Sequence, residues 1–244
     1  MKICYLGPVE RQPILQEYAS ANVTVEARHP GVRSALESVY DEYAEIPAQL
    51  DEIRRAESDG CHAVIIGCFG DPGIEAAREI VTIPVVGLGE TSLTIASMLG
   101  TRLGVVTPLQ RLLPATLRQI RAAGLSSRLA CIESAELSIR AIRDNPEEAF
   151  SYILAAAGRC YANGADSLAL ACGSMSFYAE RLQAELGIPV VHGLRVAVRF
   201  AELLVSTGLT FSKRSYPRPA SEDVGGQRRT DPPSHSHTGR TPWD

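Results

Sequence analysis

The sequence predicts an α/β fold of two pseudo-symmetric lobes, each a mostly parallel sheet flanked by helices, with a cleft between them. Three observations predict it. Short apolar, β-rich runs alternate with helical patterns along the chain. The runs lack polar alternation, as strands buried on both faces do. The landmarks of the first half also recur in the second.

Taken in order, the predicted strands are residues 3–6, 23–27, 63–66, 85–86, 103–106, 168–171 and 190–191, each a cluster of Val, Ile, Leu or Ala closed by a turn residue or by the next helix. Helical patterns cover 47–58, 74–80, 114–123, 146–162, 177–186 and 194–206. Three of these open on Pro47, Pro114 and Pro146, and proline is pre-organised for a first helical turn. In such folds the working site lies beyond the carboxyl ends of the strands.

The duplication is read from spacing. Gly60 stands eight positions before Cys68, and Gly164 eight before Cys172, with a four-residue apolar run leading to each cysteine. Ile83-Pro84-Val85-Val86 downstream of the first matches Ile188-Pro189-Val190-Val191 downstream of the second. Pro8 closes the opening strand 60 residues before Cys68, and Pro108 closes its counterpart 64 residues before Cys172. The expected lobes are 1–96 and 97–193, with a helix at 194–208 packing back on the first.

Length and composition fit this reading. A chain of 244 residues, 45% hydrophobic and 21% charged, buries a sizeable core as one large domain or two smaller ones. A net charge of −4 argues against general affinity for nucleic acid or anionic membrane. No apolar run approaches the roughly 20 residues that span a bilayer. The opening apolar stretch is too short for a secretory signal, and six cysteines are too sparse for a disulfide scaffold. The expectation is a cytoplasmic protein with reduced thiols and a small-molecule substrate, able to form a homo-oligomer of a size the sequence leaves open. Residues 212–244 hold five Pro, five Ser and five Arg, with Ala220 and Val224 as their only aliphatic side chains. They are expected to be disordered. His235 and His237 lie there without a third ligand, and no CxxC or HxxxH spacing occurs, so no metal site is expected.

The repeat gives two cysteines a meaning. Cys68 sits in Gly67-Cys68-Phe69-Gly70-Asp71-Pro72-Gly73 and Cys172 in Ala171-Cys172-Gly173-Ser174-Met175, each just past a buried strand. A thiol near a helix N-terminus is favoured as thiolate, and free backbone N–H groups in such turns hold a carboxylate or enolate oxygen. Two such ends facing each other place thiols on opposite sides of one small active-site cleft. That is the arrangement of a two-base racemase, which needs no cofactor. A lone cysteine after a strand is ordinarily packing, and Cys4, Cys61, Cys131 and Cys160 are read that way. Thr107 and His192, at strand ends, are candidate substrate contacts, as are Phe69, Gly70, Gly173 and Ser174 beside the thiols. Asp71 reads as a cap for the helix after Cys68, and Ser34 with Glu37 as a capping box.

The Cys68 turn, followed by Pro84-Val85-Val86-Gly87-Leu88-Gly89-Glu90, resembles the first cysteine motif of the hydantoin and allantoin racemases, within the aspartate/glutamate racemase superfamily. Leu168 to Met175 is similar to the second motif, and Gly31 to Ser38 with Tyr40-Asp41-Glu42 also resembles that branch. The likeness covers about residues 1–208. It implies a cofactor-independent racemase with Cys68 and Cys172 as the acid/base pair, the groups beside them binding imide or ureide oxygens. Two positions differ from the pattern: Leu6-Gly7-Pro8-Val9 replaces an Asn-Pro-Asn type turn, and His192 replaces an acidic residue before Gly193.

Other classes compete. Racemisation of free aspartate or glutamate needs partners for two carboxylates, and no Arg or Lys lies beside either cysteine in sequence. A superfamily decarboxylase uses one cysteine, so a matched pair counts against it; a maleate isomerase is the related reading. A non-catalytic small-molecule-binding module leaves the paired thiols unexplained.

Overall fold

The computed structural model describes residues 1–31 and 36–220. Its first sheet holds β1 (Lys2–Leu6), β2 (Thr24–Arg28), β3 (Ala63–Ile66) and β4 (Val85–Gly87) in the order β2-β1-β3-β4, all parallel. The second holds β5 (Leu103–Thr107), β6 (Leu129–Ser134), β7 (Ser167–Leu170) and β8 (Val190–Val191) in the same spatial order, β6-β5-β7-β8, again parallel. Registers correspond as well: Leu6 pairs with Ile66, and Val106 with Leu170. The two lobes therefore repeat one topology. β6 had no place among the expected strands, because half-exposed Leu129-Ala130-Cys131-Ile132 carries a weak signal at a sheet edge.

Helices connect the strands: α1 (Gln12–Tyr18), α2 (Val39–Ser58), α3 (Ile74–Ile80), α4 (Leu88–Leu99), α5 (Leu113–Ala122), α6 (Ile139–Asp144), α7 (Pro146–Ala162), α8 (Ala179–Leu186) and α9 (Gly193–Ser206). α2 begins eight residues before Pro47, which lies inside it. Its N-cap is Ser38, whose hydroxyl accepts the Asp41 N–H at 3.1 Å. Ser34 of the expected Ser34–Glu37 capping box lies outside the described residues, and Glu37 accepts the Ile139 N–H at 2.6 Å.

The two lobes exchange helices. α9 presents Leu194, Ala197, Val198 and Ala201, all fully buried at helical spacing, to Ile3, Tyr5, Ala63 and Ile65 of the first sheet. α4 turns Leu93 and Ala96 to Leu103, Val105, Ala169 and Val191 of the second sheet. Each buried Leu or Val contributes about 1.5–3 kcal/mol. The helix that follows each fourth strand thus crosses to cover the neighbouring sheet.

The stretch 212–220, expected to be disordered, is held against α3. Lys213 Nζ donates to the carbonyls of Arg78, Glu79 and Val81 at 2.5, 3.2 and 2.6 Å, and the Arg78 guanidinium lies 3.5 Å from the Phe211 ring centroid. Composition missed this because an aromatic-cation stack and a lysine cap need few aliphatic residues. The remainder of the tail, with Val224, His235 and His237, lies outside the described residues. Among the described residues no helix is long and apolar enough to cross a membrane.

Candidate active site

In each sheet the chain reverses its direction of travel at the first strand, so the carboxyl ends of β1 and β3, and of β5 and β7, form switch points where ligands bind in open α/β sheets. Cys68 follows β3 and Cys172 follows β7, and the two turns are built alike. The Gly67 N–H donates to Leu6 O and the Ala171 N–H to Val106 O, both at 2.8 Å. The Asp71 N–H closes on Cys68 O at 3.1 Å, and the Met175 N–H on Cys172 O at 2.9 Å.

Both thiols line one pocket of about 120 Å³, with walls from both lobes: Gly7, Pro8 and Arg11 after β1, Cys68 to Gly70 after β3, Pro108 after β5, and Cys172 to Ser174 after β7. Glu42, Glu45 and Gln49 of α2 close one side. A wider cavity of about 660 Å³ adjoins it and shares Pro8, Arg11, Arg143 and Ser174. All six cysteines are free. Cys4, Cys61 and Cys160 are buried in the core and Cys131 is half-buried, none of them in the pocket.

Of the residues singled out from sequence, Cys68, Phe69, Gly70, Cys172, Gly173 and Ser174 meet in the pocket. Thr107 and His192 do not line it. Thr107 is fully buried and donates to Leu109 O at 3.1 Å, while Pro108 takes the pocket wall. His192 caps α9, its Nδ1 accepting the Arg195 N–H at 3.4 Å, and its Nε2 lies 3.1 Å from Tyr18 Oη. Burial and the Arg195 charge lower its pKa. A strand-end position was not enough to aim either side chain inward.

The Cys68 turn is clamped by the second lobe. Asp71, at φ 48, accepts the N–H groups of Gly89 and Glu90 at 2.9 and 2.6 Å, so it caps α4 and not the helix next in sequence. Gln119 of α5 donates to Phe69 O at 2.7 Å and to Asp71 at 3.0 Å. Burial pushes the Asp71 carboxyl up to about 7. α3 starts at Ile74, six positions past Cys68. The local support is the Gly70 N–H, which favours the thiolate. Burial raises the Cys68 pKa, and the nearby Glu42 carboxylate adds to the rise.

Sequence reasoning missed Arg11. Its Nη1 donates to Tyr5 Oη at 2.7 Å and its Nη2 to Ser174 Oγ at 2.8 Å, joining β1 of one lobe to the Cys172 turn of the other. The available signal was its place just past the first strand, in the segment that departs from the amide-rich pattern. Among the described residues no group of three or more His, Cys, Asp or Glu is placed to hold a metal.

Residues 14–201 match the family model described as Asp/Glu/Hydantoin racemase. The chain belongs to that family. A hydantoin racemase of Pseudomonas sp. (strain NS671) is 35% identical over 79% of this chain and 78% of its own. An allantoin racemase from Klebsiella pneumoniae superposes with a TM-score of 0.86 at 29% identity, covering 93% of this chain and 97% of that one. Allantoin racemase from Pseudomonas fluorescens gives 0.83 at 28% identity, over 90% and 97%. The Asp/Glu/hydantoin racemase fold is thus the two-lobed α/β arrangement described above, and this member of the family is an isomerase.

Proposed function

We propose that this racemase inverts the C5 stereocentre of allantoin or of 5-substituted hydantoins, with Cys68 and Cys172 as the two acid/base groups. Ring carbonyls flank that carbon and acidify its C–H, so the reaction needs no cofactor. One thiolate takes the C5 proton and the electron pair moves into the neighbouring carbonyl as an enolate. The opposite thiol then gives its proton to the other face of C5. In this reading the backbone N–H groups of the two turns, with Ser174 Oγ, bind the ring oxygens as charge develops there. The single observation that carries this reading is the convergence of two equivalent strand-end thiols on one pocket lined by both lobes.

Arg11 favours a second reading. It supplies within the pocket a cation that the linear sequence did not place beside either cysteine. A free amino acid such as aspartate or glutamate would use it for a carboxylate. Polarimetry with allantoin, several 5-substituted hydantoins, aspartate and glutamate separates the two. Loss of rotation with the cyclic ureides supports the first; activity on the acids alone replaces it with the second.

A further inference from the structure

The two turns are alike in backbone and opposite in charge. The Arg11 guanidinium packs onto the Cys172 turn: it holds Ser174 Oγ at 2.8 Å, and a Cβ built on Gly173 would lie 2.7 Å from Nη1. Its hydrogen-bond acceptors on side chains, Tyr5 and Ser174, are both neutral, and among the described residues it has no carboxylate partner. The Cys68 turn has the reverse neighbour. The Glu42 carboxyl of α2 packs onto Gly70 so closely that a Cβ there would overlap it. Asp71 stands in the same turn.

We propose that Arg11 and Glu42 set opposite resting states on the paired thiols, Cys172 as the thiolate and Cys68 as the protonated thiol. The inference rests on the two-thiol reading above and adds its direction. A partly buried cation without a carboxylate is costly unless a negative group lies in its field, and the Cys172 thiolate supplies one. Burial of Cys68 opposes its ionisation, and the Glu42 charge, which Arg118 favours against the burial that raises the Glu42 pKa, adds to that, so the Cys68 proton stays. The other ionisable groups are Tyr5, which accepts from Arg11, Arg118 and Asp41, which act on Glu42, Asp71, which acts on Cys68, and His29, Glu45 and Arg143 on the pocket wall; Arg11 acts on Cys68 too, less than on Cys172. In the resting enzyme Cys172 is thus the base and Cys68 the acid. One turnover transfers the C5 proton to Cys172 and leaves Cys68 as the thiolate. A proton must then pass from Cys172 to Cys68, through solvent or by the reverse turnover, before the same enantiomer reacts again.

The test is alkylation by limiting iodoacetamide from pH 6 to 10, with each cysteine quantified by peptide mass spectrometry. The readout is the pH at half-maximal rate, which differences in access do not move. In the wild type Cys172 is expected to reach it at a lower pH than Cys68, whose burial raises its pKa. Arg11→Met should raise the Cys172 midpoint by about one unit, a tenfold loss of thiolate at neutral pH. Arg11→Lys should retain most of the effect. Glu42→Gln should lower the Cys68 midpoint and leave Cys172 in place. A wild-type Cys172 midpoint at or above that of Cys68 overturns the proposal even if no variant folds; so does an unmoved midpoint in Arg11→Met. The assay uses no substrate. Absence of ureide racemisation with the expected midpoints would remove the substrate reading alone, and racemisation with reversed midpoints would remove this one alone.

Discussion

Arg11 Nη2 donates a 2.8 Å hydrogen bond to Ser174 Oγ, joining residues 163 positions apart and tying the end of the first strand to the second cysteine turn. The same guanidinium holds Tyr5 Oη, and a Cβ on Gly67, just before Cys68, would lie within 2.5 Å of that oxygen. One polar unit thus abuts a glycine next to each thiol.

The thiols carry the first prediction. Cys68→Ser and Cys172→Ser should each abolish racemisation measured by polarimetry. Each should retain exchange of the C5 proton with solvent deuterium from one enantiomer, the opposite one in the two variants. Full racemase activity in either variant would remove the two-thiol mechanism.

Gly173 is a steric test of the same site. Gly173→Ala sets a Cβ 2.7 Å from Arg11 Nη1 and 3.2 Å from Gly67 O. The guanidinium must move away from Ser174, so kcat/KM should fall by at least about tenfold, the loss that follows from about 1.4 kcal/mol of misplaced contact. A melting temperature within a few degrees of wild type should accompany it. Unchanged kcat/KM would show that the Arg11 position is not needed.

His192 separates strand-end position from pocket lining. Because it caps α9 and meets Tyr18 outside the pocket, His192→Ala should cost about 1 kcal/mol of stability in urea unfolding. Racemase activity should stay within about threefold of wild type, since losses that small need less than 1.4 kcal/mol. A large loss of kcat in a folded variant would return His192 to the site.

Asp71 predicts a pH dependence with a definite sign. Its carboxyl is pushed up to about 7 in the folded protein, against about 3.9 in an unfolded chain. Between those values the native state binds more protons than the unfolded one. Its contribution to stability is therefore fullest below about pH 4 and is lost as pH rises through 7. The stability of wild type relative to Asp71→Asn should fall with pH across that window, by at most about 1.4 kcal/mol per unit. Parallel urea curves at pH 4, 5.5 and 7 measure it, and a constant difference would contradict the assignment.

Lys213 tests the segment that composition marked as disordered. Three carbonyls at the end of α3 accept from its ammonium. Lys213→Ala should lower stability by about 0.5–1 kcal/mol, and hydrogen exchange in α3 should rise with it. No change in either would show that this stretch does not hold the helix in solution.

Much of this protein was legible from sequence alone, because its signals are local and repeated. Buried parallel strands write continuous apolar runs, and a duplicated βαβ pattern repeats its glycine, cysteine and proline at fixed offsets. That spacing was enough for the two-lobed α/β class and for Cys68 and Cys172 as a matched pair, and the motif around each carried the family. What only the tertiary structure decided are relationships between distant segments. α4 and α9 trade lobes, Asp71 caps a helix 18 residues on, and Arg11 reaches Ser174 across 163 residues. Thr107 and His192 sit at the expected strand ends yet face elsewhere, since a one-residue step along a strand turns the side chain to the other face. Composition reports which residues are present, but the direction of a side chain and the charge beside a thiol depend on which elements pack together.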